Sequence, residues 1–100
     1  MCTRVFWADN EVAKVCGRTF DWEISDDALL WALPRGMARD GGAGAGSLEW
    51  VSRHGSVAAS IWGVGTTDAL NEQGLGVHLL YLRETASEPV DDRPGVSNLR

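Results

Sequence analysis

Turn signals divide this chain into short strand-like runs, and no stretch makes a convincing helix. Its 100 residues carry 12 glycines and 3 prolines, and short runs of β-branched and aromatic residues stand between them. Residues 3–7, Thr-Arg-Val-Phe-Trp, read as a strand. A polar turn over residues 8–11 leads into a second run over residues 12–20, interrupted by Gly17. The two predict a hairpin with a four-residue loop. Residues 28–33, Ala-Leu-Leu-Trp-Ala-Leu, are apolar throughout; length alone does not separate buried strand from helix, Pro34 ends the run, and strand is the favoured reading. Residues 35–47 read as a long loop. Residues 48–53 and 56–62 alternate as strands, with His54-Gly55 as a two-residue hairpin between them. Gly63, Val64 and Gly65 make another break. A short strand over residues 66–70 enters the turn Asn71-Glu72-Gln73-Gly74, and residues 75–82 follow as an apolar strand. The sum is about seven strands, no repeats and one domain: an antiparallel β-rich layer.

Several function classes have little support. Asp and Glu outnumber Lys and Arg by 14 to 9, for a net charge of −5. A chain so acidic lacks the basic face that nucleic-acid binding needs. No apolar run approaches the ~20 residues of a membrane helix. No basic start with an apolar core marks a signal peptide. The expected location is the cytoplasm, or the periplasm or exterior for a chain whose leader has been removed. The loop from Gly41 to Gly46 resembles a phosphate loop only in composition. The Walker pattern needs Lys where Ser47 stands, and no Gly-x-Gly-x-x-Gly register fits. Cys2, Cys16, His54 and His78 have no zinc-ligand spacing. Cys16 reads as a small buried hydrophobe and His78 as a face histidine with no nameable partner. The five tryptophans serve either core packing or an aromatic pocket for an apolar substrate.

Cys2 is the residue with the most chemistry in it. Removal of Met1 leaves a thiol and a free α-amine on one residue, a nucleophile and a general base together. The α-amine, with an ordinary pKa of about 7.7–8.0, is partly unprotonated near neutral pH. It can take the thiol proton and return it to a leaving amine. Many chains also carry a small residue at position two for translation or processing, and a cysteine there is usually incidental. The expected hairpin returns Arg18 and Asp21 to the neighbourhood of Cys2. There Arg18 can hold a thiolate or a developing negative charge, and Asp21 can orient the α-ammonium. The other reading of Arg18 and Asp21 is a surface ion pair of little consequence.

Four stretches then agree. Met1-Cys2-Thr3, Gly17-Arg18-Thr19-Phe20-Asp21-Trp22, Asn71-Glu72-Gln73-Gly74-Leu75 and Asp91-Asp92-Arg93-Pro94-Gly95-Val96-Ser97-Asn98-Leu99-Arg100 together resemble the choloylglycine hydrolase family. That family holds bile salt hydrolases and penicillin V acylases. The resemblance implies an α+β fold: the N-terminal part of an N-terminal-nucleophile αββα sandwich, here mostly antiparallel strands. It implies hydrolysis of linear, non-peptide amide bonds in a small-molecule substrate, with no metal or cofactor and, for the full-length family, a homo-oligomer. It implies roles too. Cys2 matches the nucleophile, Arg18 and Asp21 the residues beside it, and Asn71 the asparagine opening the oxyanion strand. Tyr81 falls where a backbone N–H stabilises the oxyanion. An aromatic there tilts the expectation from bile salts towards penicillin V or N-acyl homoserine lactones. Trp22 resembles a substrate-contacting aromatic of the Gram-negative acylase branch, which Ser47-Leu48-Glu49-Trp50 also resembles.

Family members are longer, and a later catalytic asparagine and arginine have no counterpart here. The turn at residues 91–95, followed by Ser97 as a helix N-cap, reads as a domain over residues 1–100 cut at a helix start near 97. A polar tail is the other reading. Activity of these 100 residues alone is therefore expected to be impaired. Two further classes remain open at this point: a β-rich binding module with Cys2 incidental, and a non-functional truncated product.

Overall fold

A computed structural model of the chain describes residues 2–23, 27–82, 84–86 and 91–97. They contain eight strands: β1 (Arg4–Trp7), β2 (Val15–Arg18), β3 (Leu29–Leu33), β4 (Ala38–Asp40), β5 (Glu49–Val51), β6 (Ser56–Ile61), β7 (Gly65–Asn71) and β8 (Gly76–His78). A single 3-10 turn, Gly44–Gly46, is the only helical element among the described residues. The chain divides into two compact units, Met1–Ser25 with Leu80–Ser87, and Asp26–Leu79 with Glu88–Arg100.

The first unit is built on the β1–β2 hairpin, with Arg4 opposite Arg18 and Phe6 opposite Cys16. Its loop covers residues 8–14, longer than the turn residues suggest. Asn10 is the reason. Its side-chain oxygen accepts the Val12 N–H at 2.9 Å and its own N–H bonds the Ala8 carbonyl at 2.9 Å. That local turn takes residues 12–14 off the ladder. Lys14 then donates to the Ala8 carbonyl, and Val12 is left 94% exposed.

The second unit holds a four-stranded antiparallel sheet in the order β3-β6-β7-β8 and a two-stranded ribbon, β4-β5. The hairpin expected at His54-Gly55 does not form. β5 pairs with β4, and β6 lies between β3 and β7. Two sets of contacts explain this. Gly55 gives its N–H to the Glu72 carboxylate at 2.9 Å, and its carbonyl accepts the Glu72 N–H at 3.0 Å. Arg39, in the stretch expected as loop, sets its guanidinium 5.8 Å above the Trp50 ring directly across the ribbon, a cross-strand stack that favours the β4-β5 pairing. The β6–β7 connection is three residues, 62–64, and holds a tight turn with Trp62 (φ 54°) and Gly63 (φ 68°) both left-handed at its centre, closed by Val64 N–H to the Ile61 carbonyl at 3.2 Å.

The glycine-rich segment is tied down by polar contacts. Asp40 Oδ1 accepts from the Gly42 N–H at 2.5 Å and the Ser47 hydroxyl at 2.9 Å, and Ser47 Oγ accepts the Ala43 N–H at 2.7 Å. Residues 95–97 bond against it: Leu48 N–H to Gly95 O at 2.8 Å and Ser97 N–H to Gly41 O at 2.7 Å. A Cβ on Gly41 would meet the Gly95 oxygen at 2.5 Å, so only glycine allows this approach. Asp91 turns its segment by accepting the Arg93 N–H at 3.0 Å, as the turn sequence predicts. The expected helix after Ser97 falls on residues 98–100, outside the described residues.

Alternation along the strands separates the two faces of the large sheet. On one face Ala58 and Ser60 of the inner strand β6 are buried, at 1% and 2% exposure, while their β3 partners Trp31 and Leu29 are exposed. Leu30, Val57 and Leu70 lie on the other face and are exposed. Asp68 and His78 share that second face. They are register partners, and His78 Nδ1 stands 2.8 Å from Asp68 Oδ1, which gives the face histidine its partner.

Candidate active site at Cys2

The first unit carries Cys2, Arg18, Asp21, Trp22 and Tyr81 together. Thr3 and Thr19 extend the hairpin ladder by one step. The Thr19 N–H bonds the Thr3 carbonyl at 2.9 Å, and the Thr3 N–H goes to Thr19 Oγ1 at 3.0 Å. Cys2, half-buried and a free thiol, is therefore held at the end of a paired strand.

Two backbone donors meet its sulfur. The N–H of Tyr81, and after it that of Asp21, hydrogen-bond to the thiol and hold its pKa below the ordinary range. Desolvation and the Asp21 carboxylate push the other way and offset this only in part. Hydrogen bonds to the charged form favour that form, so the site favours a thiolate.

Around this point runs a chain of ring contacts. The Arg18 guanidinium lies 4.7 Å above the centre of the Phe20 ring. Phe20 stacks on Trp22 with centroids 6.4 Å apart and planes 10° from parallel. Trp22 meets the Tyr81 ring edge-on at 5.7 Å and 87°. This run of rings ends on Tyr81, whose backbone N–H bonds the thiol, and Trp22 and Tyr81 are each about half exposed. The Asp21 carboxylate accepts the Thr19 hydroxyl at 3.2 Å.

Asn71 belongs to the other unit. Its side-chain oxygen accepts the N–H groups of Gln73 and Leu75, both at 2.9 Å, and so organises the β7–β8 turn. None of the five tryptophans is buried. Cys16 is a free, half-buried thiol. Among the described residues no group of three or more His, Cys, Asp or Glu side chains is gathered as for a metal ion. Among them, too, no helix is long and apolar enough to cross a membrane.

Reasoning from residue types passed over Thr19 and the Asp21 backbone N–H. A main-chain donor leaves no mark in residue type. Thr19 had one signal, a hydroxyl two positions before an Asp in the strand facing Thr3.

The chain resembles known proteins in both sequence and fold. The chain is 38% identical to a penicillin V acylase of Pectobacterium atrosepticum, over 96% of this chain and 28% of that protein. It superimposes on the structure of penicillin V acylase from Agrobacterium tumefaciens with a TM-score of 0.85 and 37% identity, over 99% of this chain and 31% of that one. It therefore spans about three tenths of the length of each. Its mostly antiparallel strands are those of the N-terminal-nucleophile hydrolase fold. Residues 2–100 match the linear amide C–N hydrolases, and the chain belongs to the choloylglycine hydrolase family.

Proposed function

We propose that this chain carries the nucleophile of a linear amide C–N hydrolase of the penicillin V acylase type. The observation behind this reading is the Tyr81 N–H directed at the Cys2 thiol. A donor that bonds the sulfur stands next to the carbonyl carbon that the sulfur attacks. It is well placed to hold the oxyanion that forms there.

The steps follow from that arrangement. With Met1 removed, the α-amine of Cys2 takes the thiol proton. Sγ attacks the amide carbonyl carbon, and the Tyr81 N–H steadies the negative oxygen. The α-ammonium, oriented by Asp21, gives its proton to the nitrogen as the C–N bond breaks and the amine leaves. Water, deprotonated by the α-amine, then attacks the thioester, and acid and free thiol are regenerated. Arg18 contributes positive charge. The Trp22 and Tyr81 rings receive an apolar acyl group, which favours penicillin V and N-acyl homoserine lactones over conjugated bile salts.

The test is amine release from penicillin V, an N-acyl homoserine lactone and a conjugated bile salt, by the parent protein and Cys2→Ala, with intact mass read on the same samples. The expected result is release from the first two substrates, dependent on Cys2, in protein that has lost Met1. Release that survives in Cys2→Ala, or activity in protein that retains Met1, overturns the reading.

A further inference from the structure

We infer that Thr19 is a positioning residue of the Cys2 site, whose hydroxyl locks the Cys2–Thr3 peptide and the Asp21 carboxylate into one hydrogen-bonded chain. This rests on the reading of Cys2 as the nucleophile.

Residues facing each other in an antiparallel ladder exchange two backbone hydrogen bonds or none. Thr3 and Thr19 make only half of that exchange. The Thr19 N–H bonds the Thr3 carbonyl at 2.9 Å. The return bond from the Thr3 N–H goes to Thr19 Oγ1 at 3.0 Å, in place of the Thr19 carbonyl. That carbonyl is left for the Arg18 guanidinium, at 3.4 Å. The ladder stops here because a side chain has taken the place of the backbone acceptor. Past this point the chain departs from the strand, and the Asp21 N–H comes to face the Cys2 sulfur.

The polarity of the hydroxyl is fixed. It has one proton, and it already accepts from Thr3, so it donates to Asp21 Oδ2 at 3.2 Å. An ionised carboxylate can only accept. A hydrogen bond to a charged partner is stronger than a neutral one. One hydroxyl thus fixes the residue following the nucleophile and the carboxylate that orients the α-amine. Valine has the shape of threonine and can do neither.

The experiment reads the Cys2 thiol itself, in a Cys16→Ala background so that a single thiol remains. Alkylation by iodoacetamide is followed against pH by mass spectrometry for the parent, Thr19→Ser, Thr19→Val and Thr19→Ala. Serine keeps the donor and acceptor, and the parent profile is expected. Valine and alanine are expected to move the midpoint upward and to slow alkylation at neutral pH by about 3–10-fold, the span that one hydrogen bond commands. The contrast between serine and alanine isolates the hydroxyl even where valine disturbs the strand. That contrast is expected to shrink when Asp21 is also changed to Ala. Coincident serine and alanine profiles overturn the inference, and so does a contrast of the same size without the Asp21 carboxylate. Alkylation requires no amide hydrolysis. A protein with the contrast and no amidase activity therefore retains Thr19 as the positioning residue and loses the proposed reaction.

Discussion

Replacing Asn71 by Ala removes one oxygen that serves two backbone donors. The Gln73 and Leu75 N–H groups each lie 2.9 Å from Asn71 Oδ1. The backbone closes the same turn through Asn71 N–H to Leu75 O at 3.0 Å and Gly74 N–H to Asn71 O at 2.9 Å, with Gly74 at φ 82°. A typical net hydrogen bond contributes about 0.5–1.5 kcal/mol, and water can partly replace an exposed one. Loss of both side-chain bonds is therefore expected to cost about 1–2 kcal/mol. Asn71→Asp retains an acceptor of the same reach and is expected to stay within about 0.5 kcal/mol of the parent. Urea unfolding followed by tryptophan fluorescence reads this, since Trp31 is in the sheet that the turn closes. Unchanged stability in Asn71→Ala refutes the reasoning. Equal losses in Ala and Asp refute it as well, because the oxygen is then not what matters.

Two further predictions concern the same unit. Arg35 holds Glu72 through two bonds of 2.6 Å, with Gly55 N–H adding a third, and these lower the Glu72 pKa from 4.5 to about 2. A lowered carboxylate pKa gives stability that is present above pH 4.5 and lost as pH falls towards 2. Glu72→Gln is expected to flatten the stability profile in that window and leave the shape of the profile from pH 5 to 7 unchanged; a parent profile already flat between pH 4.5 and 2 contradicts it. Trp62 is 57% exposed and left-handed at φ 54°, a conformation that costs a side chain with a bulky Cβ substituent roughly 1–2 kcal/mol. Trp62→Asn, before Gly63, gives the pair favoured where both central turn residues are left-handed, and a gain of about 1 kcal/mol in urea unfolding is expected; a loss contradicts it.

What could be read from the sequence is what neighbouring residues decide. β1 is marked by its β-branched and aromatic run, β3 by an apolar run that Pro34 ends, and the turns at Asn71 and Asp91 by side chains that bond their own backbone. The partner of β5 could not be read, because the choice rests on Arg39 over Trp50 and on Glu72 engaging Gly55, contacts between segments far apart in sequence. The length of the first hairpin loop was within reach, since an Asn10 turn accounts for it. So was the partner of His78. Counting outward from the Asn71 turn sets Leu70 against Gly76, Ala69 against Val77 and Asp68 against His78. At the site, motif resemblance drew attention to Cys2, Asp21 and Tyr81. The donors on the sulfur are main-chain groups, which follow from where the chain runs and not from which residues it carries.

In the proposed reaction the Cys2 sulfur takes the acyl group. The protein is mixed with penicillin V, quenched in acid within the first turnovers, digested, and its peptides weighed. The predicted result is a phenoxyacetyl increment on the peptide carrying Cys2, released by hydroxylamine as a thioester must be. Amine release with no acyl group on that peptide, or with the increment on another residue, contradicts it.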